Sequence, residues 1–457
     1  MHLSGANLAL LLFGIVYLLI ILEERLFHRS VTALIGGTLA IILGLLTPEH
    51  AWASIDYNTI FLLTGMMMIV SMLTHVGFFN TMAKWSLKLT GPNPRKIMVV
   101  FATMTAFLSM FLDNVTTVLF MTPIMINVAR ALELNVIPYL ILLVIFSNIG
   151  GTATLIGDPP NILIGSIGKY SFLDFIVNVS LPVILAGSIT LALALVLTYI
   201  NPKLFNIKDS YDVDLQQLKF DTIVTHDGRE VKLEPNPLGF KLNVAWFILT
   251  VLFFFVAHKW HIEPGVVALF MGSTLLGLNC LLIKADHKKV ILDVEWPTLL
   301  FFVGLFIVVG ALEEKGVLNK IANTLVHYIS DNPLKNIFII GSFSALVSGI
   351  VDNIPFTMAM SMILKEMSLH GLPHIPNANP RIFFEHLWWA LSIGACFGGN
   401  LTLIGASANV VTADVAAKKG YKITFWEYLK WGVPFTVIST GLGLFILYLW
   451  LKIIGTI

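Results

Sequence analysis

Charged residues are scarce in this sequence. Asp, Glu, Lys and Arg make up 12% of its 457 residues, whereas an average soluble domain contains about 25%. Hydrophobic residues make up 57%, and the mean hydropathy is +0.85. Many apolar stretches reach the roughly 20 residues that a helix needs to cross a bilayer. The deficit of charge excludes an ordinary soluble domain and predicts an integral protein of the cell (inner) membrane, surrounded by the lipid bilayer.

Other signals are also missing. The net charge is only +1, so no nucleic-acid partner is predicted. The two cysteines, Cys280 and Cys396, lie in apolar segments, which favours packed thiols over a disulfide or a metal pair. The 12 histidines show no metal-ligand spacing, and no Gly-x-x-x-x-Gly-Lys-Ser/Thr motif indicates an ATP-driven engine. The first apolar run, from Asn7 to Leu22, follows no basic region, so no removable signal is expected. The sequence shows no nucleophile–base pair, so an enzyme is not predicted.

Two Asp-Asn pairs, Asp113-Asn114 and Asp352-Asn353, each stand directly between two apolar segments. Each pair stands between two apolar arms of only about 15 residues, which is short for a full span. We therefore predict two re-entrant hairpins whose tips stop inside the membrane. Two ordinary short helices joined by an outside loop are the alternative. The arms are 96–111 with 116–130, and 335–351 with 354–368.

A second pattern also occurs twice, as Gly150–Asn161 and Gly398–Asn409. Each copy interrupts a longer apolar segment with glycines, and the first also carries two prolines. Glycine costs about 1 kcal/mol and proline about 3 kcal/mol inside a helix, so each segment should have an unwound middle. Adding 239 to residue numbers carries the first Asp-Asn pair onto the second, and adding 248 carries one glycine-rich segment onto the other. A register without gaps over 55 residues predicts an internal duplication.

The predicted fold is an all-α polytopic membrane protein made of two repeats. Each repeat has five crossings and one hairpin, and because five is odd the repeats must insert with opposite topology, as in many secondary transporters. The predicted units are a first inverted repeat at 1–200 (scaffold 6–76, transport 95–200), a cytoplasmic polar linker at 201–240, and a second inverted repeat at 241–457 (scaffold 241–313, transport 335–457). The ten predicted spans are 6–23, 30–48, 58–76, 137–168, 172–200, 241–258, 263–283, 297–313, 384–417 and 431–453.

The distribution of basic residues predicts the orientation. With the N-terminus outside, 20 of the 28 Lys and Arg residues face the cytoplasm, and the reverse placement leaves 8 there. The positive-inside rule therefore places both termini outside and the 201–240 linker inside. Within that linker, His226–Arg229 inside Phe220–Leu233 indicates a small exposed hairpin. A disordered linker is the alternative.

Hairpin tips and unwound helices leave backbone groups that must be buried in protein or line a polar cavity. Their carbonyls can hold a cation, and Asn and Thr side chains add further donors and acceptors. We expect one compact site near the midplane, with no arginine in it. Its predicted residues are Asp113, Asn114, Thr116, Thr117, Thr152, Thr154, Asp158 and Asn161 in the first repeat, and Asp352, Asn353, Asn400, Thr402, Ser407 and Asn409 in the second.

The carboxylates give this site its chemistry. A charged carboxylate at the bilayer centre costs about 2.5–3.5 kcal/mol on insertion scales, so it must be protonated or hold a cation. A site that carries either a proton or a cation is the physical basis of antiport. Asp158 has Ala406 as its repeat mate, and we assign it a separate role in proton coupling. The alternative is that these acids cap helix N-termini, which does not exclude ion binding.

Phe111–Pro123 and Ser147–Asn161, the latter with its Gly-Asp-Pro-Pro-Asn motif, resemble the ion transporter superfamily. They are most similar to the permease group of the melanosomal P protein, the arsenite exporter ArsB and relatives of the NhaD sodium/proton antiporter. The more distant divalent-anion/sodium symporters carry Ser-Asn-Thr at each tip, of which only the asparagines match here. The resemblance implies a homodimer with an elevator-type transport domain. It also implies Na⁺ sites at Asn114, Gly150 and Asn161, and at Asn353, Gly398 and Asn409.

These observations predict a secondary active transporter that exchanges Na⁺ or another small inorganic ion for H⁺. Efflux of arsenite or antimonite is a second hypothesis, since neutral arsenite could bind among Asn and Thr groups. Transport of an anion or carboxylate coupled to Na⁺ or H⁺ is a third. A channel is disfavoured, because two half-sites gated from opposite faces do not make a continuous pore. No cofactor other than bound Na⁺ is expected.

Overall fold

The computed structural model describes residues 4–21, 28–208, 211, 222–224, 230–232, 236–370 and 380–457, and these form a helical protein. The helices of the first half are α1 (Gly5–Ile21), α2 (Arg29–Ile42), α3 (Pro48–Ser54), α4 (Tyr57–His75), α5 (Phe78–Thr90), α6 (Pro94–Ser109), α7 (Asn114–Ala131), α8 (Val136–Gly151), α9 (Pro159–Gly168), α10 (Phe172–Phe175) and α11 (Leu181–Ile200). A π-turn, Ile176–Ser180, joins α10 to α11, and a short 3₁₀ helix, Pro202–Phe205, follows.

The second half contains ten helices among the described residues. They are α12 (Pro237–Ala257), α13 (Pro264–Ile283), α14 (His287–Leu292), α15 (Trp296–Glu314), α16 (Val317–Val326), α17 (Pro333–Ser348), α18 (Asn353–His370), α19 (Pro380–Gly398), α20 (Ser407–Lys418) and α21 (Phe425–Ile453). A 3₁₀ turn, His258–Trp260, extends α12.

Six helical segments of the described residues are long and apolar enough to cross a membrane. They are Tyr57–His75, Phe172–Ile200, Pro237–Ala257, Pro264–Ile283, Trp296–Glu314 and Phe425–Ile453. Several of the remaining predicted spans are built from shorter helices, among them α1, α2 and α8. The chain is therefore an integral membrane protein with several apolar helices.

The predicted span 30–48 differs from the structure at its end. Helix α2 ends at Ile42, and Gly44 then adopts a left-handed conformation with φ +67°. Thr47 caps a separate short helix, α3, by accepting the N–H of His50, and Pro48 occupies the first helical position. Glycine after the last turn and proline at the start of the next helix are ordinary helix-ending and helix-starting signals.

The two halves share the order of their helices. Adding 239 carries α3 onto α14 and α4 onto α15, and the following α5 and α16 both begin after a left-handed glycine. These glycines are Gly77 (φ +76°) and Gly316 (φ +67°). The predicted unwinding of the broken segments is confirmed, because α8 and α9 are separated by residues 152–158, and α19 and α20 by residues 399–406.

Two close helix crossings join the halves, α4 with α13 and α2 with α15. A Cβ added at Gly65 of α4 would lie 2.2 Å from the carbonyl carbon of Ala268 in α13. The repeat mate of Gly65 is Gly304 of α15, where an added Cβ would lie 2.3 Å from the carbonyl carbon of Ala33 in α2. Small residues let backbones approach this closely, and close packing is a main attraction between helices in lipid.

Replacing Gly65 by alanine is expected to destabilise the protein, because the new methyl group must push two backbones apart. Overpacking of this kind typically costs about 1–3 kcal/mol. Gly277→Ala is the matched control, since Gly277 lies in α13 with no neighbouring atom within 4 Å of an added Cβ. Thermal unfolding in detergent should show a lower midpoint for Gly65→Ala alone. Equal midpoints for the two variants would contradict a tight crossing.

The polar connection between the halves contains two short strands. β1 (Thr222–Val224) and β2 (Glu230–Lys232) pair in antiparallel register, with Ile223 opposite Val231. This pairing agrees with the predicted hairpin. The turn itself, residues 225–229, lies outside the described residues.

Candidate functional site

The first Asp-Asn pair lies where α6 ends and α7 begins. Asp113 is the N-cap of α7 with an extended backbone. Its carboxylate accepts the N–H of Val115 at 2.8 Å and the N–H of Thr116 at 3.2 Å, and also accepts the Thr116 hydroxyl. The Thr117 hydroxyl donates to the main-chain oxygen of Asp113 at 3.0 Å. At this tip, the capping role considered for the acid is therefore fulfilled.

The second tip is not a copy of the first. Asp352 has a left-handed backbone with φ +64°, and one of its carboxylate oxygens accepts the N–H of Ile354 at 2.9 Å. The repeat mate of Thr116 is Pro355, which has neither an N–H nor a hydroxyl to offer. The local bonds that occupy the carboxylate of Asp113 are therefore not all available to Asp352.

Arg29 occupies the space beside the second tip. Its Nη1 lies 3.4 Å from Oδ2 of Asp352 and also donates to the hydroxyl oxygen of Ser407, the first residue of α20. The guanidinium lies 5.4 Å from the ring centroid of Phe301 in α15. The expectation that no arginine enters the site is wrong. The sequence does not reveal this contact, because Arg29 and Asp352 are 323 residues apart in the chain.

The broken helices are held by asparagine amides. The side-chain nitrogen of Asn161 donates to the carbonyl oxygens of Thr152 and Thr154, both at 2.8 Å. Its repeat mate Asn409 donates in the same way to the carbonyl oxygens of Gly399 at 2.7 Å and Thr402 at 2.9 Å. Each asparagine therefore fastens an unwound segment from the first turn of the helix that follows, which satisfies carbonyls that lack helical partners.

Threonine hydroxyls tie each broken helix to its neighbouring tip. Thr154 donates to the carbonyl of Met110 in the first tip, and its repeat mate Thr402 donates to the carbonyl of Gly349 in the second, at 2.5 Å. The hydroxyl of Thr152 instead donates back into α8, to the carbonyl of Asn148 at 2.8 Å.

Each tip and the broken helix tied to it form one half-site. The first comprises the Asp113 tip with Gly150–Asn161, and the second the Asp352 tip with Gly398–Asn409.

Asn148 of α8 links the two half-sites. Its side-chain oxygen accepts from Asn114 at 3.0 Å, and its side-chain nitrogen donates to Asn400 at 2.8 Å and Asn409 at 3.0 Å. All four asparagines are buried. Asn148 is absent from the predicted site, although a buried amide two residues before the glycine pair is a signal that could have identified it.

A second link joins Asn161 of the first half-site to helix α19 of the second repeat. The side-chain oxygen of Asn161 accepts the Ser392 hydroxyl at 2.6 Å, and the Cys396 sulfur lies 3.6 Å from the same oxygen. Both partners belong to α19. Cys396 is a buried free thiol, as predicted, and it is also the repeat mate of Asn148. The predicted site residues of the two repeats thus meet through side chains that the prediction did not include.

Asp158 is completely buried, and neither of its carboxylate oxygens has a hydrogen-bond partner among the described residues. It occupies the N-cap position of α9, but its side chain makes no capping bond. Cys396 and Asn114 are its polar neighbours, and Asp113 and Asp352 are close enough to act on its charge. An unpaired carboxyl group in such a place is costly unless it is neutral or holds a cation.

The half-sites differ in the groups that they leave free. In the first, the side-chain oxygen of Asn114 and both oxygens of Asp158 have no partner in the described part of the chain, so this half-site offers acceptors. In the second, the fully buried side-chain atom without a partner among the described residues is the nitrogen of Asn353, a donor. Oxygen acceptors suit a proton or a hard cation such as Na⁺. Within the described residues, no three His, Cys, Asp or Glu side chains converge as metal ligands.

The proposed Na⁺ ligands are only partly free. The carbonyl of Gly150 accepts the N–H of Ala153 at 3.0 Å, and the carbonyl of Gly398 accepts the N–H of Leu401 at 2.8 Å. The side-chain oxygens of Asn161 and Asn409 are already hydrogen-bonded. Of the groups assigned to the two sodium sites, the Asn114 oxygen is a fully buried acceptor that has no hydrogen-bond partner in the described structure.

Apolar helices around a buried polar centre of broken helices define a membrane transporter, and the comparisons with known proteins agree. The model of the citrate transporter family, CitMHS, matches residues 17–394, so the chain belongs to this family. Its relatives include a 46 kDa membrane protein of Mycobacterium leprae, which is 35% identical over 97% of this chain and 98% of its own length. An uncharacterized transporter of Mycobacterium tuberculosis is 36% identical over 93% of this chain and 94% of its own.

The resemblance to the P-protein group is confirmed. The P protein of Homo sapiens is 32% identical over 94% of this chain, which covers 58% of that longer protein. The crystal structure of the YdaH transporter of Alcanivorax borkumensis matches 97% of this chain and 98% of its own, with a TM-score of 0.59 and 10% sequence identity. That likeness shows a shared fold.

Proposed function

We propose that this protein is a secondary active transporter that exchanges Na⁺ or another small cation for protons. The observation that carries the proposal is the buried carboxyl group of Asp158, which has no hydrogen-bond partner among the described residues. A carboxyl group in this position is stable when protonated or when a cation neutralises it. Either occupant can therefore be carried at one place, which is the requirement for exchange.

We further propose that the two halves are inverted repeats, and that the half-sites move as an elevator against the scaffold. The shared helix order and the equivalent crossings at Gly65 and Gly304 support a duplicated design. Opposite insertion follows from the odd number of predicted crossings in each repeat. The positive-inside rule supports placing both termini outside and the 201–240 linker in the cytoplasm. We also propose that the protein forms a homodimer in the cell membrane, because the resemblance to the superfamily implies one.

Transport of a carboxylate is a second candidate, and Arg29 favours it. Arginine binds carboxylates through two parallel hydrogen bonds, and Arg29 lies beside Ser407 at the start of α20. The family is described as a citrate transporter. In this candidate the first half-site carries the coupling cation and the second receives the carboxylate.

Proteoliposomes that hold a pH-sensitive dye and an imposed proton gradient distinguish these candidates. We expect the addition of Na⁺, Li⁺ or K⁺ to move protons across the membrane for one of the cations. The combined variant Asp113→Asn/Asp352→Asn should reduce this movement to the level of protein-free vesicles, because it removes charge from both tips.

Carboxylate exchange has its own readout in the same vesicles. If folded protein shows no proton movement with any cation but takes up labelled citrate, that result would contradict cation/proton exchange and support carboxylate transport. Arsenite uptake under the same conditions tests the remaining prediction. Silence with all substrates would contradict secondary transport as proposed.

A further inference from the structure

We propose that Arg29 is a tethered cation that fills the second half-site, so that the coupling cation binds at the first half-site alone. The inference rests on the proposed cation exchange and adds a stoichiometry to it. Two repeated tips, each with an Asp-Asn pair, would by themselves suggest two equivalent cation sites. The side chains around the tips break that equivalence.

The position of Arg29 indicates a function at the tip. Arg29 is the first residue of α2, and a positive charge at a helix N-terminus is unfavourable because the helix dipole is positive there. Its guanidinium nevertheless points across the contact between α2 and the second tip, where it meets Asp352 and Ser407. The side chains of Arg29 and Asp352 are each only 16% exposed, so their attraction is less screened than that of a surface pair.

The sequence around each tip explains why the arginine is held at one of them. At the first tip, Val115 and Thr116 occupy the carboxylate of Asp113. At the second, Pro355 replaces the threonine and donates nothing to Asp352. Oδ2 of Asp352 is thus directed toward Arg29 and Ser407. The repeat mate of Arg29 is Ala268, so the first half-site receives no equivalent arginine.

The charges near the two tips differ accordingly. Asp113 and Asp158 belong to the first half-site, and Glu295 of the α15 N-cap lies close enough to act on the charge of Asp113. The second half-site has Asp352 with Arg29, and Ala406 in place of the second acid. With these five groups ionised, the three of the first set sum to a charge of −3 and the two of the second sum to 0. A mobile cation is therefore attracted to the first half-site, whereas at the second it would have to displace Arg29.

Counting bound cations tests the inference. Equilibrium binding of radiolabelled Na⁺ to purified protein should saturate at one ion per wild-type chain. Arg29→Gln removes the tethered charge and should bind two. Arg29→Lys keeps the charge and should remain at one. Lys365→Gln is the matched control, since Lys365 of α18 pairs with Glu313 of α15 at 3.2 Å, away from the tips, and it should also bind one.

The outcomes separate this inference from the function on which it rests. Two ions per wild-type chain, or a count that stays at one in folded Arg29→Gln, would overturn the role of Arg29 and leave cation exchange intact. No Na⁺ bound by wild type, with Li⁺ and K⁺ equally inert, would overturn the proposed exchange together with this inference. If Arg29→Gln does not fold, the wild-type count decides, because two ions exclude a half-site filled by Arg29.

Discussion

Replacing Asp158 by asparagine is expected to abolish cation-driven proton movement while leaving the protein folded. The carboxyl group is completely buried, and neither oxygen has a partner in the described structure. An asparagine has nearly the same shape but cannot gain or lose a proton, and it carries no charge to hold a cation. The exchange rate should therefore fall to that of protein-free vesicles, and any remaining transport should lose its dependence on pH.

Stability should move in the opposite direction from activity. A buried carboxyl group without a partner opposes folding, so a neutral amide should leave the thermal midpoint unchanged or raise it. Asp414→Asn is the matched control, because Asp414 is an exposed acid of α20 that pairs with Lys418. This control should keep full exchange. If Asp158→Asn retains exchange with the wild-type pH dependence, then Asp158 is not the proton-coupling residue.

Replacing Asn148 by leucine is expected to impair both stability and transport. The substitution leaves three buried groups without their present partner: the side-chain nitrogen of Asn114 and the side-chain oxygens of Asn400 and Asn409. Each orphaned buried group costs about 1–3 kcal/mol, so the free energy of unfolding should fall by at least about 3 kcal/mol. Cation exchange should be lost, because the amide holds the two half-sites together.

A scaffold amide separates the two effects. Asn243 and Asn279 are equally buried and bond each other at 3.1 and 2.8 Å, away from both half-sites. Asn243→Leu should lower the thermal midpoint but leave the apparent cation affinity of the remaining folded protein unchanged. Asn148→Leu should change both. If the two variants show the same affinity for the cation, Asn148 serves stability alone.

Much of the architecture was predictable because its signals are local. Low charge and long apolar runs reflect the hydrocarbon environment directly, and glycine and proline break helices wherever they stand in a span. The unwound segment between α8 and α9 and the tip at Asp113 therefore lie where the sequence places them. The repeat register identified Asn161 and Asn409 as equivalent, and the structure gives both the same task of holding unwound carbonyls.

The electrostatic character of the site was less predictable. Arg29 lies just before the predicted scaffold span 30–48, and its position in the sequence suggests only a charge that flanks a span. Pro355 is visible in the sequence, and it offers no donor to the carboxylate of Asp352. Only the tertiary structure shows that Arg29 reaches one oxygen of this carboxylate. Such contacts join residues hundreds of positions apart, and no local pattern reports them.

The sequence by itself thus determined the membrane class, and it predicted the duplication and the polar residues of the two half-sites, since each prediction follows from composition and spacing along one segment. The tertiary structure decided that the half-sites are joined through Asn148, that Asp158 is buried without a described partner, and that Arg29 faces Asp352. The physical reason is that the energy of a buried charge or amide depends on the partners that packing brings within hydrogen-bond distance. Those partners come from other helices.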